Sequence, residues 1–380
     1  MKKWIWISVL FLAVLFSNSR MATAQGKKSA TSWAEKVKLI GDVRFRYEEI
    51  DQQDKAWRNR ARIRARIGLK AAINDDWDLY FRLATSENGD QVSTNQTLTG
   101  SFSRKPIWLD MAYFDYHPHQ LKGMDFTGGK MKNPFYIVGK NQLIWDHDLT
   151  PEGLAITYMA PLETFQPFVN TGAFWIQERS TGKDSYLYGV QGGVKVKFGE
   201  GKGYVAAGAG YYAYDHAQDY QVFGTTANNS WGNSTIQNGS TALYASQFNL
   251  VEGFGELAFS IGEFPVSIFG EYVVNESAKD SKNNVGWLVG VNAGKYDKPH
   301  GLAFRYDYRD LQKDAVIGAF CDSDFVGGGT NGRGHLIGLD LGLFPNVWLS
   351  GTYFIDTKYI ASGEKNKNYT RLQIDINAKI

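Results

Sequence analysis

The stretch Ala61-Arg-Ile-Arg-Ala-Arg-Ile-Gly-Leu-Lys-Ala71 decides the reading of the chain. Ala61, Ile63, Ala65, Ile67, Leu69 and Ala71 share one parity; Arg60, Arg62, Arg64, Arg66 and Lys70 share the other. Successive side chains of a β-strand point to opposite faces, so a period of two marks a strand. Wound as a helix, the same residues would spread arginine around the whole circumference and leave no apolar stripe to bury. A strand with one apolar and one strongly basic face suits a wall between lipid and water.

The pattern recurs along the chain. Leu372, Ile374, Ile376, Ala378 and Ile380 alternate with Arg371, Gln373, Asp375, Asn377 and Lys379, and Val285, Trp287, Val289, Val291 and Ala293 behave likewise. Further alternating runs cover 37–47, 77–85, 186–198, 266–274, 302–308, 337–343 and 347–355, with Arg44, Arg46, Arg82, Lys195, Arg305, Asp307 and Asp340 on the polar side. Short turns near 74–76, 118–123, 161–164, 199–202, 262–263, 297–300 and 345–346 interleave with longer polar loops. An even number of strands with tight turns at one end and long loops at the other defines a bacterial outer-membrane barrel. The expected fold is all-β: a transmembrane antiparallel up-and-down β-barrel of about sixteen strands, with short periplasmic turns and long extracellular loops. Loops are expected at about 88–105, 134–152, 215–245 and 312–333, the last two solvated because Gly, Asn, Ser and Thr dominate them. Trp77, Trp108, Tyr113, Tyr204, Trp287, Trp348 and Tyr353 sit towards strand ends, where aromatic side chains favour the membrane interface. The competing fold, a soluble β-sandwich or β-helix, would also alternate, but it does not call for this regular exchange of short and long connections.

At the N-terminus Lys2 and Lys3 precede an apolar run from Trp4 to Phe16 and an Ala22-Thr-Ala24 close, the pattern of a secretory signal peptide over 1–24. Residues 25–36 then form a periplasmic leader, and 37–380 a single barrel domain. Without Lys2, Lys3 and Arg20 the mature chain carries a net charge close to zero, so nothing points to nucleic acid. One cysteine, Cys321, rules out an internal disulfide. The aromatic share of 14%, with 41 glycines and only 9 prolines, suits many strands and turns rather than disorder.

Two further segments carry a family resemblance. Gly129-Lys-Met-Lys-Asn-Pro-Phe135, followed by Gln142-Leu-Ile-Trp-Asp-His-Asp-Leu-Thr-Pro-Glu-Gly153, resembles the putative porin family of Gram-negative outer membranes. That resemblance implies a general-porin-like sixteen-stranded barrel, an inward third loop near 133–153, and a homotrimer. The chain departs from outer-membrane barrels in ending on Ile380 rather than an aromatic residue.

The expected function is passive diffusion of small hydrophilic solutes and ions through a water-filled lumen, with no catalytic residues and no cofactor. Its partners are membrane lipid, the solutes, and further copies of the chain. Arg44, Arg46, Arg60, Arg62, Arg64, Arg66 and Arg82 form the candidate basic wall, and Asp146, Asp148 and Glu152 the candidate acidic wall on the inward loop. Opposed walls set a transverse field that orients dipolar solutes, and the arginines suggest an anion bias. The structural alternative has those arginines tied up by Glu48, Glu49, Asp42 or Asp78. Asp146, His147 and Asp148 are adjacent in sequence and so poorly disposed to share a metal ion. A barrel enzyme of the lipase or protease kind, and a plugged adhesin or structural barrel, are the rival functions.

Overall fold

The computed structural model describes residues 33–359, except 227, and 366–380. The signal peptide and most of the leader lie outside these residues. A short 3-10 turn at Trp33–Lys36 belongs to the N-terminal unit; the barrel is Val37–Ile380.

Alternation dictates the wall. In β1 (Val37–Gln52) and β2 (Arg58–Ala72) the register sets Arg44 opposite Arg64 and Arg46 opposite Arg62 on the lumen side, with Phe45 opposite Ile63 on the lipid side. The third stave, β3 (Trp77–Thr85), is interrupted: the chain leaves the wall and returns at Gln96–Thr97, which pairs with Ile63 and Arg62 of β2. The next strands are β4 (Ile107–Tyr116), β5 (Met124–Lys130), β6 (Glu152–Met159), β7 (Phe165–Gln177), β8 (Ser185–Phe198) and β9 (Gly203–Asp215). Then come β10 (Asn249–Ile261), β11 (Phe264–Asn275), β12 (Val285–Gly294), β13 (Leu302–Leu311), β14 (Gly332–Phe344), β15 (Val347–Lys358) and β16 (Lys367–Lys379). Each pairs antiparallel with its neighbour, and β16 pairs with β1 from Asp42–Lys379 to Gln52–Tyr369. The sixteen staves therefore close, and closure removes the unpaired edges that lipid could not satisfy.

The outward parity is apolar and open to lipid: Val43, Phe45, Ile67, Leu69, Leu339, Leu341, Ile374 and Ile376 are all exposed. All seven expected short turns are present, so the long loops gather at the other, extracellular end. Part of the aromatic girdle is outward, as where Trp77 stacks on Tyr116 at 4.6 Å. Three of its expected members are not. Tyr113 stacks on the lumen residue Tyr80, Tyr204 lies under the Lys195 ammonium, and Trp348 meets Tyr296 in the lower lumen. Their parity, not their nearness to a strand end, sets the face.

Among the described residues three loops fold into the barrel. Loop 131–151 enters because its apolar residues need cover: Phe135 and Trp145 pack on each other and on Tyr212 of β9, at 5.7, 4.8 and 5.1 Å between ring centres. Loop 86–95 lines the lumen between the two parts of the third stave, and Val92 to Asn95 are buried. Loop 312–331 corrects the sequence reading, since it is buried rather than solvated: Ala315, Val316, Ile317, Ala319 and Cys321 are at most 1% exposed. Loop 216–248 covers it, so the solvated reading of 215–245 fails in part as well. Asn233 donates to the carbonyls of Lys313 and Val316 and accepts from Gly318 N, all at 2.8 Å. The polar residues that suggested solvent instead satisfy the backbone inside the protein.

Gly139 shows how closely loop 131–151 is seated. Its φ of 56° is left-handed, and a Cβ there would come within 2.3 Å of the Phe269 ring on β11. Gly139→Val is expected to cost about 1–3 kcal/mol and to lift the loop. Limited proteolysis would then cut 131–151 in the variant and leave the native chain intact.

Candidate functional site

The inserted loops meet the barrel wall along β1, β2 and β16. All the candidate arginines but Arg82, which is on β3, lie here, and the structure gives each of them a polar partner. Arg44 donates to Asn95 at 2.5 Å and stands 3.7 Å from Asp375. Arg46 makes a two-pronged bond to Asp375, both contacts at 2.7 Å. Arg60 binds Glu48 at 2.5 Å, while Arg62 lies 3.6 Å from Glu48 and 3.3 Å from Glu87. Arg64 and Arg66 share Asp42 at 2.8 and 2.7 Å, and Arg82 holds Asp110 at 2.5 Å. Of the four acids expected to tie up these arginines, Glu48 and Asp42 do so. Asp78 instead pairs with Lys70, and Glu49 accepts from Tyr47 on the outer face.

The acidic candidates part company. Asp148 reaches the basic wall, 3.2 Å from Arg66, and is steadied by the backbone N–H and hydroxyl of Thr94. Burial works against its charge, but Arg66, Arg64 and Arg44 outweigh that and hold the carboxyl well below the usual range. Among the described residues Asp146 forms no ion pair with an arginine; it accepts from the backbone of Asp148 and of Ser323, stapling loop 131–151 to loop 312–331. Burial first, then Asp148 and Asp322, push its carboxyl well above the usual range. Asp148 therefore carries the charge that the loop turns towards the wall. Glu152 is a correction. It opens β6 on the parity of the exposed Leu154, is 62% exposed and pairs with Lys130 at 2.9 Å; it shares with Asp148 the lining of a cavity of about 350 Å³ but, among the described residues, forms no ion pair with a candidate arginine. A strand begins at Glu152, and its alternation turns the side chain away. Among the described residues no group of His, Cys, Asp and Glu side chains is arranged to hold a metal ion.

The sequence reading missed the second acidic contribution. Asp324, on loop 312–331, accepts from Arg371 at 2.8 Å, from Gln373 at 2.9 Å and from Arg46 at 3.4 Å. Burial opposes its charge, but Arg371 and Arg46 hold the carboxyl well below the usual range. Beside it Asp322 binds Arg309 at 2.7 Å. Ser323 and Asp324 line both a cavity of about 850 Å³ that reaches the short-turn end at Lys202, and one of about 340 Å³ that opens beside Lys55 at the long-loop end. The two walls that were expected to face each other across a gap thus touch at Asp148 and Asp324. The available signal was the acid-rich Cys321-Asp-Ser-Asp-Phe325, set in a loop whose composition suggested solvent.

Comparison with known proteins follows the same line. A family model described as "Putative porin" matches residues 50–251 and, in a second overlapping match, 228–380. The chain belongs to this porin family. Family and fold place the porin in the bacterial outer membrane. Among solved structures it is similar to OprB of Pseudomonas putida, with a TM-score of 0.59 and 11% identity over 91% of this chain and 95% of that one. It is also similar to OmpF of Salmonella typhi, with a TM-score of 0.55 and 10% identity over 92% and 99%. A third likeness is to OmpT of Vibrio cholerae in its trimer form, with a TM-score of 0.51 and 14% identity over 90% and 99%. At these identities the likeness is one of fold. No curated protein matches the sequence.

Proposed function

We propose that this porin lets small hydrophilic solutes and ions diffuse passively through its lumen, and that it does so without catalysis or a cofactor. The observation that carries the reading is a pair of polar-lined cavities inside the closed barrel, both lined by Ser323 and Asp324, one reaching the short-turn end and the other the long-loop end. Fixed charges on both sides of such a passage favour dipolar solutes over apolar ones. Reconstitution in a planar bilayer tests it: stepwise conductance is expected. A folded, inserted protein that never conducts would point instead to a plugged structural barrel.

The determinants of selectivity are Asp148 and the arginine wall with its acids, rather than the arginines alone. Because Asp42, Glu48, Asp110 and Asp375 offset much of the basic charge, selectivity for either sign is expected to be weak. Asp148→Asn removes one of the two carboxylates that hold Arg66, leaving Asp42, and is expected to move the reversal potential in a KCl gradient towards the anion side. A shift towards cations would overturn that assignment.

A homotrimer is supported by the family and by the trimeric form of the Vibrio cholerae neighbour; native mass spectrometry of the detergent-extracted protein tests it. Removal of residues 1–24 on export would leave Gln25 as the first residue of the mature chain, which N-terminal sequencing would read directly.

A further inference from the structure

The lumen face of β13 to β16 carries a platform for which the pairing of charges gives no account. Register sets Arg305 of β13 opposite Gly338 of β14, Asp340 of β14 opposite Ser350 of β15, and Trp348 of β15 opposite Asn377 of β16. Just past the end of β12, Tyr296 lies against Trp348, with ring centres 5.4 Å apart and planes tilted by 38°. All of these residues line the 850 Å³ cavity that reaches the short-turn end, a volume within the range of small-molecule sites, about 300–1,000 Å³. Their side chains offer surface to it: Tyr296 is 36% exposed, and Trp348, Arg305, Asp340 and Ser350 are half-buried.

Arg44, Arg46 and Arg64, which line the same cavity, are each ion-paired. Arg305 and Asp340 form no ion pair among the described residues, although they are diagonal neighbours across β13 and β14 and both lie within electrostatic reach of Tyr296. Arg305 runs along Gly338, its Nε 3.6 Å from where a Cβ would stand. Asp340 accepts through Oδ1 from the Ser350 hydroxyl, which in turn accepts from the Asn377 amide at 3.3 Å, and Oδ2 has no hydrogen-bond partner among the described residues. The platform therefore holds one open acceptor, one open donor fork and two aromatic rings. Its two charges are opposite, so together they favour no ion of either sign.

Aromatic surface that faces lumen water gains free energy when a solute with an apolar face covers it. A carboxylate accepts from hydroxyls, and a guanidinium donates to oxygens. A pyranose ring supplies both halves, C–H bonds on its face and hydroxyls round its rim. We propose that this platform is a binding subsite for a neutral pyranose sugar, whose ring lies on Trp348 and Tyr296 while its hydroxyls donate to Asp340 and its oxygens accept from Arg305. A free amino acid would match the two charges, but amino acids as a class bring no constant apolar face to the rings. The proposal rests on the diffusion reading above and gives it a solute class.

Saturation-transfer difference NMR on the detergent-refolded full chain tests the site with glucose, with sorbitol, which has the hydroxyls but no ring, and with glycine, which has the charges alone. Saturable transfer to the ring C–H protons of glucose is expected at millimolar concentrations, with sorbitol and glycine binding at least about tenfold more weakly. Trp348→Leu keeps an apolar side chain and removes the ring, and Asp340→Asn keeps the shape and the bond from Ser350 but loses the charge; each is expected to weaken glucose binding by about tenfold. Absence of saturable transfer to glucose overturns the proposal, as does sorbitol or glycine binding as well as glucose, or either variant binding glucose as tightly as the native chain. Should both variants fail to refold, the three solutes on the native chain decide alone. Planar-bilayer recordings on the same protein separate the two readings. A channel that conducts but does not bind glucose keeps diffusion and loses the site, whereas one that binds without ever conducting keeps the site and loses diffusion.

Discussion

Replacing Asp324 with alanine is expected to raise the single-channel conductance of the porin about two- to threefold, because Asp324 lines both lumen cavities and an obstruction on the path between them adds its resistance in series. Asp324 ties loop 312–331 to β1 and β16 through Arg371, Gln373 and Arg46, and it lines both lumen cavities. Its removal takes away both a side chain and the charge that draws the loop to β1 and β16. Asp324→Asn keeps the volume and the bond to Gln373 but loses the charge, so a smaller increase is expected. Asp280→Ala, in an exposed turn, serves as the control. Unchanged conductance in Asp324→Ala would show that the current bypasses this contact. The pH dependence follows from the depressed pKa. A carboxyl held low by cations contributes when it is charged, above its unfolded value of about 3.9, and the contribution is lost only as pH falls through the lower folded value. The contact therefore persists through neutral and mildly acidic conditions.

The second large effect is on stability. Glu48 is fully buried, 0% exposed, with Arg60 at 2.5 Å, Arg371 at 2.9 Å, and Arg46 and Arg62 at 3.6 Å. Glu48→Ala leaves a cluster of desolvated guanidiniums facing one another with no anion between them. Breaking a buried ion pair from one side typically costs about 3–5 kcal/mol. Glu48→Gln is expected to recover part of that cost through hydrogen bonding but none of the charge. Urea unfolding in lipid vesicles, followed by tryptophan fluorescence, measures the difference. Asp54→Ala provides the contrast: it removes a 3.3 Å pair with Lys367 in which the aspartate is 63% exposed, and is expected to change stability by less than about 1 kcal/mol. Equal effects from the two substitutions would mean that the Glu48 cluster is hydrated and its burial unimportant.

The wall was legible in the sequence because lipid and water impose opposite demands on alternate residues, and Ala61 to Ala71 meets both demands at every position but Gly68. The basic lining was legible for the same reason. Its neutralisation was only half visible: Glu48 and Asp42 share strands with arginines and could be named, whereas Asp324 comes from a loop some 280 residues further along and carries no periodic signature. Loop 312–331 was misjudged because its Gly- and Asp-rich composition also suits a buried loop whose polar groups bind one another. Glu152 was misjudged from its neighbours: Asp148 lies in the loop and Glu152 already in the strand, and the change of periodicity between them cannot be seen in four residues. Tyr113, Tyr204 and Trp348 show the same limit from the other side, since an aromatic ring suits both the membrane interface and the lining of a polar cavity.

The closing seam between β1 and β16 has a consequence for assembly. Arg46–Asp375 and Arg371–Glu48 both cross it, joining residues 329 and 323 positions apart. Contacts so distant along the chain must overcome a large loop-closure entropy, and they need the two terminal strands side by side. These ion pairs are therefore absent from any open, partly zipped sheet and appear only with the finished cylinder. Interactions missing from the transition state act on the rate of coming apart and leave the rate of going together almost unchanged. The buckle of charges at the seam is accordingly a device for longevity: once the ring has closed, it slows the reopening.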